Sequence, residues 1–99
     1  MRVRWSDDAD RDRDAIVGTI WANNPAAAHR MDELFGSAAT RLGNFPRLGR
    51  ESAVPGMREL IPHPSYRLVY EITDDEIVIH SLIHTSRQWP PESSTGDDA

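Results

Sequence analysis

Residues 66–84, Tyr-Arg-Leu-Val-Tyr-Glu-Ile-Thr-Asp-Asp-Glu-Ile-Val-Ile-His-Ser-Leu-Ile-His, decide the fold. Tyr66, Leu68, Tyr70 and Ile72 alternate with Arg67, Val69 and Glu71, the period-2 pattern of a strand with one face on a core. Thr73-Asp74-Asp75-Glu76 is a polar hairpin turn. The strand after it, residues 77–84, is apolar on both faces, which predicts a central position in a sheet. Working back, residues 57–62 predict a third strand, joined to the hairpin by a turn at His63-Pro64-Ser65. Phe45-Pro46-Arg47-Leu48-Gly49-Arg50 reads as a loop anchored by Phe45.

Upstream of that loop the period changes from two to about 3.6. Ala28, Met31, Phe35, Ala38 and Leu42 share one face of a helix beginning at Pro25, with Asn24 as its cap. Ala9, Arg13, Ile16, Val17, Ile20 and Trp21 mark an earlier helix over residues 7–22. Ser6 caps it, and Asp7, Asp8 and Asp10 suit its positive end. The short Asn23-Asn24-Pro25 break folds the two into an antiparallel hairpin. Gly18 and Gly36 lie inside these helices, where each costs about 1 kcal/mol relative to alanine, so close helix approach is the expected compensation. Val3 and Trp5 alternate with Arg2 and Arg4 as a short edge strand does. The sum is an α+β chain of order β-α-α-β-β-β, a helical hairpin packed on a small, mainly antiparallel sheet. One domain is expected over residues 1–89, with a disordered acidic tail over residues 90–99.

Composition narrows the function. The 99 residues carry no cysteine, which excludes disulfides, thiol catalysis and cysteine metal sites. No apolar run approaches the roughly 18 residues of a membrane span, and the N-terminus is too acidic for a secretory signal. A cytoplasmic protein without membrane association is expected. The net charge of −5 argues against non-specific binding to nucleic acid through a wholly basic surface. The acids, however, fall in blocks, and Arg41, Arg47, Arg50, Arg58 and Arg67 are opposed between residues 41 and 70 only by Glu51 and Glu59. All 11 cations are arginine, which binds phosphate bidentately but does not serve as a general base.

Six short motifs in order give a resemblance to a known family. They are Trp5-Ser6 entering the first helix, Asn24-Pro25 between helices, and Phe45-Pro46-x-x-Gly49-Arg50 after the second. Gly56-x-Arg58-x-Leu60, Tyr66-Arg67-Leu68-Val69-Tyr70-x-Ile72 and the terminal strand ending Ile83-His84-x-x-Arg87 complete the set. Over residues 3–89 the chain resembles the RelE/ParE toxins of type II toxin–antitoxin systems. The resemblance implies growth inhibition relieved by a cognate antitoxin protein, in a toxin–antitoxin hetero-oligomer. RelE-like members cleave messenger RNA on the ribosome, using the RNA 2′-hydroxyl as nucleophile without a metal or other cofactor. ParE-like members bind DNA gyrase without hydrolytic chemistry. Messenger cleavage is the leading expectation, with gyrase inhibition or an inactive, antitoxin-binding co-repressor as alternatives.

The candidate site follows from the nuclease chemistry, which needs a base, a cation on the phosphorane and an acid for the leaving oxygen. Arg58 and Arg67 match arginines that bind phosphate in nuclease members, and His84 ends the last strand as a proton-exchanging group. These three are the catalytic candidates; Arg50, Arg87 and Trp89 are candidates for RNA or target contact. Glu59 or Glu51 is a candidate base, by resemblance to the YoeB-like branch, where a glutamate takes that role. Two features depart from the nuclease pattern: lysine is absent, and Thr85-Ser86 stands where many nucleases carry a tyrosine or a histidine–tyrosine pair. His80 and His84 alternate on one predicted strand face but lack carboxylate neighbours, so no metal is expected.

Overall fold

A computed structural model of the chain describes residues 1–87; the expected tail and Trp89 lie outside the described residues. The elements are β1 (Arg2–Trp5), α1 (Asp7–Trp21), α2 (Pro25–Asn44), β2 (Arg50–Glu51), β3 (Arg58–His63), β4 (Tyr66–Ile72) and β5 (Glu76–His84). They form one five-stranded sheet in the order β1-β5-β4-β3-β2, with both helices on one face. All pairings are antiparallel except β1 with β5, which is parallel. The α+β architecture expected from the sequence is the one observed, with a two-residue strand, β2, added to it.

Each helix starts where its cap stands. Ser6 Oγ accepts from the Ala9 amide at 3.1 Å, and Asn24 Oδ1 from the Ala27 amide at 3.1 Å, meeting donors that a helix leaves open in its first turn. Pro25 occupies the first turn of α2. The core lies between the helices and the sheet, where Phe35, Ala38 and Leu42 pack on Leu68, Tyr70, Ile77 and Ile79. Arg13 ties the helices together, its Nε donating to Asp32 at 2.7 Å while its guanidinium lies over the Trp5 ring.

Three expectations need correction. Gly18 and Gly36 do not mark close helix contact: a Cβ on Gly18 would meet nothing within 4 Å, and one on Gly36 only the end of Arg13 at 3.5 Å. His80 and His84 do not share a face. Val69 pairs with Ser81 but Tyr70 pairs with Ile79, so His80 is an extra residue that bulges β5 and shifts its alternation. His80 turns to Glu71 at 2.9 Å, whereas His84 pairs with Tyr66 and contacts its ring edge-on. Finally, His63, read as the first residue of a turn, is the last residue of β3 and is half-buried beside Tyr66.

The parallel β1 is held at its outer end by charge. Arg2 and Arg4 both reach Glu76, at 3.3 and 3.1 Å. The hydrogen bonds from the Arg4 guanidinium hold the Glu76 carboxyl below the ordinary carboxylate range, against a smaller opposing effect of desolvation and with help from the charges of Arg4 and Arg2.

Candidate functional site

Sheet parity decides what the candidate residues can do together. Residues paired across an antiparallel ladder leave the sheet on the same side, and neighbours along a strand leave on opposite sides. Arg58 pairs with Tyr70, a core residue, so it lies on the helix face. Arg67 is three residues from Tyr70 along β4 and pairs with Ile83, so it lies on the open face. His84 pairs with Tyr66 and returns to the helix face, at the other end of β4 from Arg58. Four residues of strand and two strand spacings separate Arg58 from His84, about 13 Å along the sheet and 9–10 Å across it. The three residues expected to gather at one phosphate are therefore not brought together.

The arginines have internal partners instead. The Arg58 guanidinium donates through Nη2 to the carbonyls of Gly49 and Arg47, tying down the loop between α2 and β2. The Tyr70 hydroxyl, buried in the core, binds the same loop from below, donating to Pro46 O at 2.7 Å and accepting from the Gly49 amide at 3.0 Å. A Cβ at Gly49 would collide with the Glu59 carbonyl and the Tyr70 ring, so only glycine lets the chain pass this close.

On the open face, Glu59 is 7% exposed and stands between two arginines. Arg50 Nη2 and Arg67 Nε each lie 3.3 Å from its Oε1. Arg50 meets the carboxylate in line for a hydrogen bond, whereas Arg67 Nε pairs with it by charge and out of line. Glu59, a candidate base, is thus held as the buried centre of an ion cluster, and Glu51 is exposed at the edge strand.

His84 and Arg87 do meet. Together with Asp12, Ile16 and Leu82 they line a cleft of about 210 Å³ between α1 and the end of β5. Asp12 was legible only as a carboxylate near a helix start, yet its Oδ2 accepts the Leu82 amide at 3.0 Å and closes the β5 edge beyond the reach of β1. A carboxylate at this wall works against phosphate binding by its neighbours. The His84 ring accepts the Ser86 amide at Nδ1, as His63 accepts that of Ser65. No group of three or more His, Asp or Glu able to hold a metal occurs among the described residues, and no helix among them is long and apolar enough to cross a membrane.

A helical hairpin on one face of a five-stranded mixed sheet is an architecture this chain shares with small α+β toxins. Residues 3–89 match the family described as the ParE toxin of the type II toxin–antitoxin system parDE, and the chain belongs to that family, within the wider RelE/ParE group. It is similar to toxin RelE2 of Caulobacter vibrioides, at 34% identity over 86 residues that cover 87% of this chain and 97% of that protein. It is also similar to the Y4kP protein of Sinorhizobium fredii, at 33% identity over 90% of this chain and 93% of that one. Among solved structures, the chromosomal ParDE toxin–antitoxin system of Pseudomonas aeruginosa superposes with a TM-score of 0.76, at 24% identity over 85% of this chain and 95% of that chain. The YoeB dimer of Staphylococcus aureus superposes with a TM-score of 0.57, at 18% identity over 82% and 92%. These last two likenesses concern the fold.

Proposed function

We propose that this type II toxin arrests growth by binding a protein target, DNA gyrase being the target that the family resemblance implies, and that a cognate antitoxin silences it. The observation that carries this reading is the dispersal of Arg58, Arg67 and His84 over two sheet faces and two sheet ends. Cleavage through a 2′-hydroxyl needs base, cation and acid around one phosphate, each within about 3 Å of its atom. Here Arg58 is engaged with main-chain carbonyls and Arg67 with buried Glu59. A protein-binding toxin needs no such convergence. The absence of lysine and the net charge of −5 also sit better with a protein partner than with an RNA-rich one.

The test uses antitoxin-free protein in two assays. Gyrase supercoiling should be inhibited, and messenger in a purified translation system should keep its 5′ ends. Ribosome-dependent cuts with unimpaired gyrase would overturn the proposal in favour of messenger cleavage. Normal growth on expression of folded protein would point instead to an inert, antitoxin-binding co-repressor.

A further inference from the structure

The loop between α2 and β2 is fixed more firmly than a connection requires. Leu48 N–H donates to Phe45 O at 3.0 Å, closing residues 45–48 into a turn. Tyr70 and Arg58 then bind that turn from the sheet at the carbonyls of Pro46 and Arg47, and just beyond it at the amide and carbonyl of Gly49. What the turn displays is apolar. Phe45 is 64% exposed and Leu48 39%, and no large apolar side chain among the described residues is more exposed than Phe45. The two border a shallow hollow of about 530 Å³ with Pro46 and Arg47.

Arg47 is the one charged residue lining this hollow, while Glu51 and Glu33 line neighbouring hollows with Arg47 and Arg41 respectively. Arg47 lies within the turn, and Arg41 sits one helical turn before Phe45, whose amide donates to the Arg41 carbonyl at 2.8 Å. Both are exposed, and neither forms an ion pair among the described residues. In a chain of net charge −5, a locally basic apolar tip attracts a partner only where that partner is itself acidic. Exposed apolar anchors locked before contact avoid the ordering cost of binding, which suits a pre-formed pocket on a folded protein. A flexible antitoxin segment gains most from a groove in which it becomes ordered. A nucleic acid meets only two arginines here, few for a ligand whose binding rests on many phosphate contacts.

We infer that the turn of Phe45, Pro46, Arg47 and Leu48 is the surface that engages the growth-arrest target, inserting Phe45 and Leu48 into an apolar pocket ringed by carboxylates on that folded protein. The inference rests on the protein-binding reading above. Its test is the full-length double variant Phe45→Ser/Leu48→Ser, prepared with its antitoxin, and separately Arg41→Glu/Arg47→Glu. Both pairs are exposed, so circular dichroism and melting temperature should stay near wild type.

Each variant should lose growth arrest, with gyrase inhibition at least 10-fold weaker, while antitoxin affinity stays within about 3-fold. If wild-type protein inhibits gyrase and both variants inhibit equally well, the turn is not the target surface, while the protein-binding reading stands. If wild-type protein does not inhibit gyrase, arrest in cells decides: loss with antitoxin binding intact supports the turn as the target surface, and retained arrest overturns it. Lost antitoxin binding with arrest retained assigns the turn to the antitoxin and overturns the inference. Messenger cuts that vanish in the variants overturn it in favour of RNA contact.

Discussion

Arg67 Nε lies 3.3 Å from Oε1 of Glu59, and the two side chains are 15% and 7% exposed. A carboxylate so removed from water depends on its counter-charge, and Arg50, the other partner, is mostly in solvent. Truncation by Arg67→Ala should therefore cost about 1–3 kcal/mol in urea unfolding, the penalty of a buried charge that loses its buried partner and keeps only the exposed Arg50. Replacing the pair together, Arg67→Met with Glu59→Met, should restore most of that loss. A single variant as stable as wild type would show that Glu59 is solvated in solution. The same result matters for function: lost activity in Arg67→Ala is informative only beside its unfolding curve.

Tyr70→Phe removes one hydroxyl and strands two main-chain groups, the Pro46 carbonyl and the buried Gly49 amide. The expected cost is about 1–3 kcal/mol. The loss should be visible as faster proteolysis within residues 45–49, since this hydroxyl is half of what fixes the turn. Unchanged proteolysis there would mean that Arg58 alone suffices.

Glu76 predicts a pH dependence. Its carboxyl is held below the ordinary value of about 4.5 by the Arg4 hydrogen bonds first and by the charges of Arg4 and Arg2. A group whose value is lowered on folding adds stability that is complete above its unfolded value and lost as pH falls through the folded one. Melting temperatures of wild type and Glu76→Gln should thus differ near neutral pH and converge below about pH 4.5. A constant gap across that range would deny the carboxylate its part in holding β1.

How much of this was legible in the sequence depends on whether a feature is local. Caps at Ser6 and Asn24, the helix faces and the alternation of β4 are set by neighbouring residues, and they were readable. β2 was not, because its two residues are extended only through pairing with Arg58 and Glu59. The bulge at His80 was hidden by apolar residues on both sides of β5, where a one-residue phase shift leaves the pattern unchanged. The candidate site suffered for the same reason. The face of Arg67 followed from β4 alone, whereas that of Arg58 depended on the register across the turn between β3 and β4. Asp12 gave no signal of its tie to Leu82, seventy residues away.

Gly18 offers the opposite kind of test. It lies exposed within α1, with nothing within 4 Å of a Cβ placed there, so the flexibility of glycine costs stability without serving a contact. Gly18→Ala should add about 1 kcal/mol, which raises the melting temperature of a domain this size by about 4–8 °C. A lower melting temperature would reveal a backbone requirement at Gly18 that its helical position does not suggest.

His84 separates the two readings of the toxin most directly. The ring is exposed, accepts the Ser86 amide at 3.0 Å and touches the Tyr66 ring, contacts whose loss should leave the domain folded. A proton-transferring histidine in a nuclease contributes about 10²- to 10⁴-fold. A residue at the end of the sheet opposite Arg58, beside the Asp12 carboxylate, makes no comparable contribution to binding a protein through the turn at Phe45. His84→Ala should therefore keep growth arrest and gyrase inhibition within about 3-fold of wild type, a small fraction of that catalytic factor. A hundredfold loss in a folded variant, together with messenger cuts made by wild type alone, would return His84 to catalysis. It would also require the sheet to rearrange on the ribosome before Arg58 and Arg67 could share a phosphate with it.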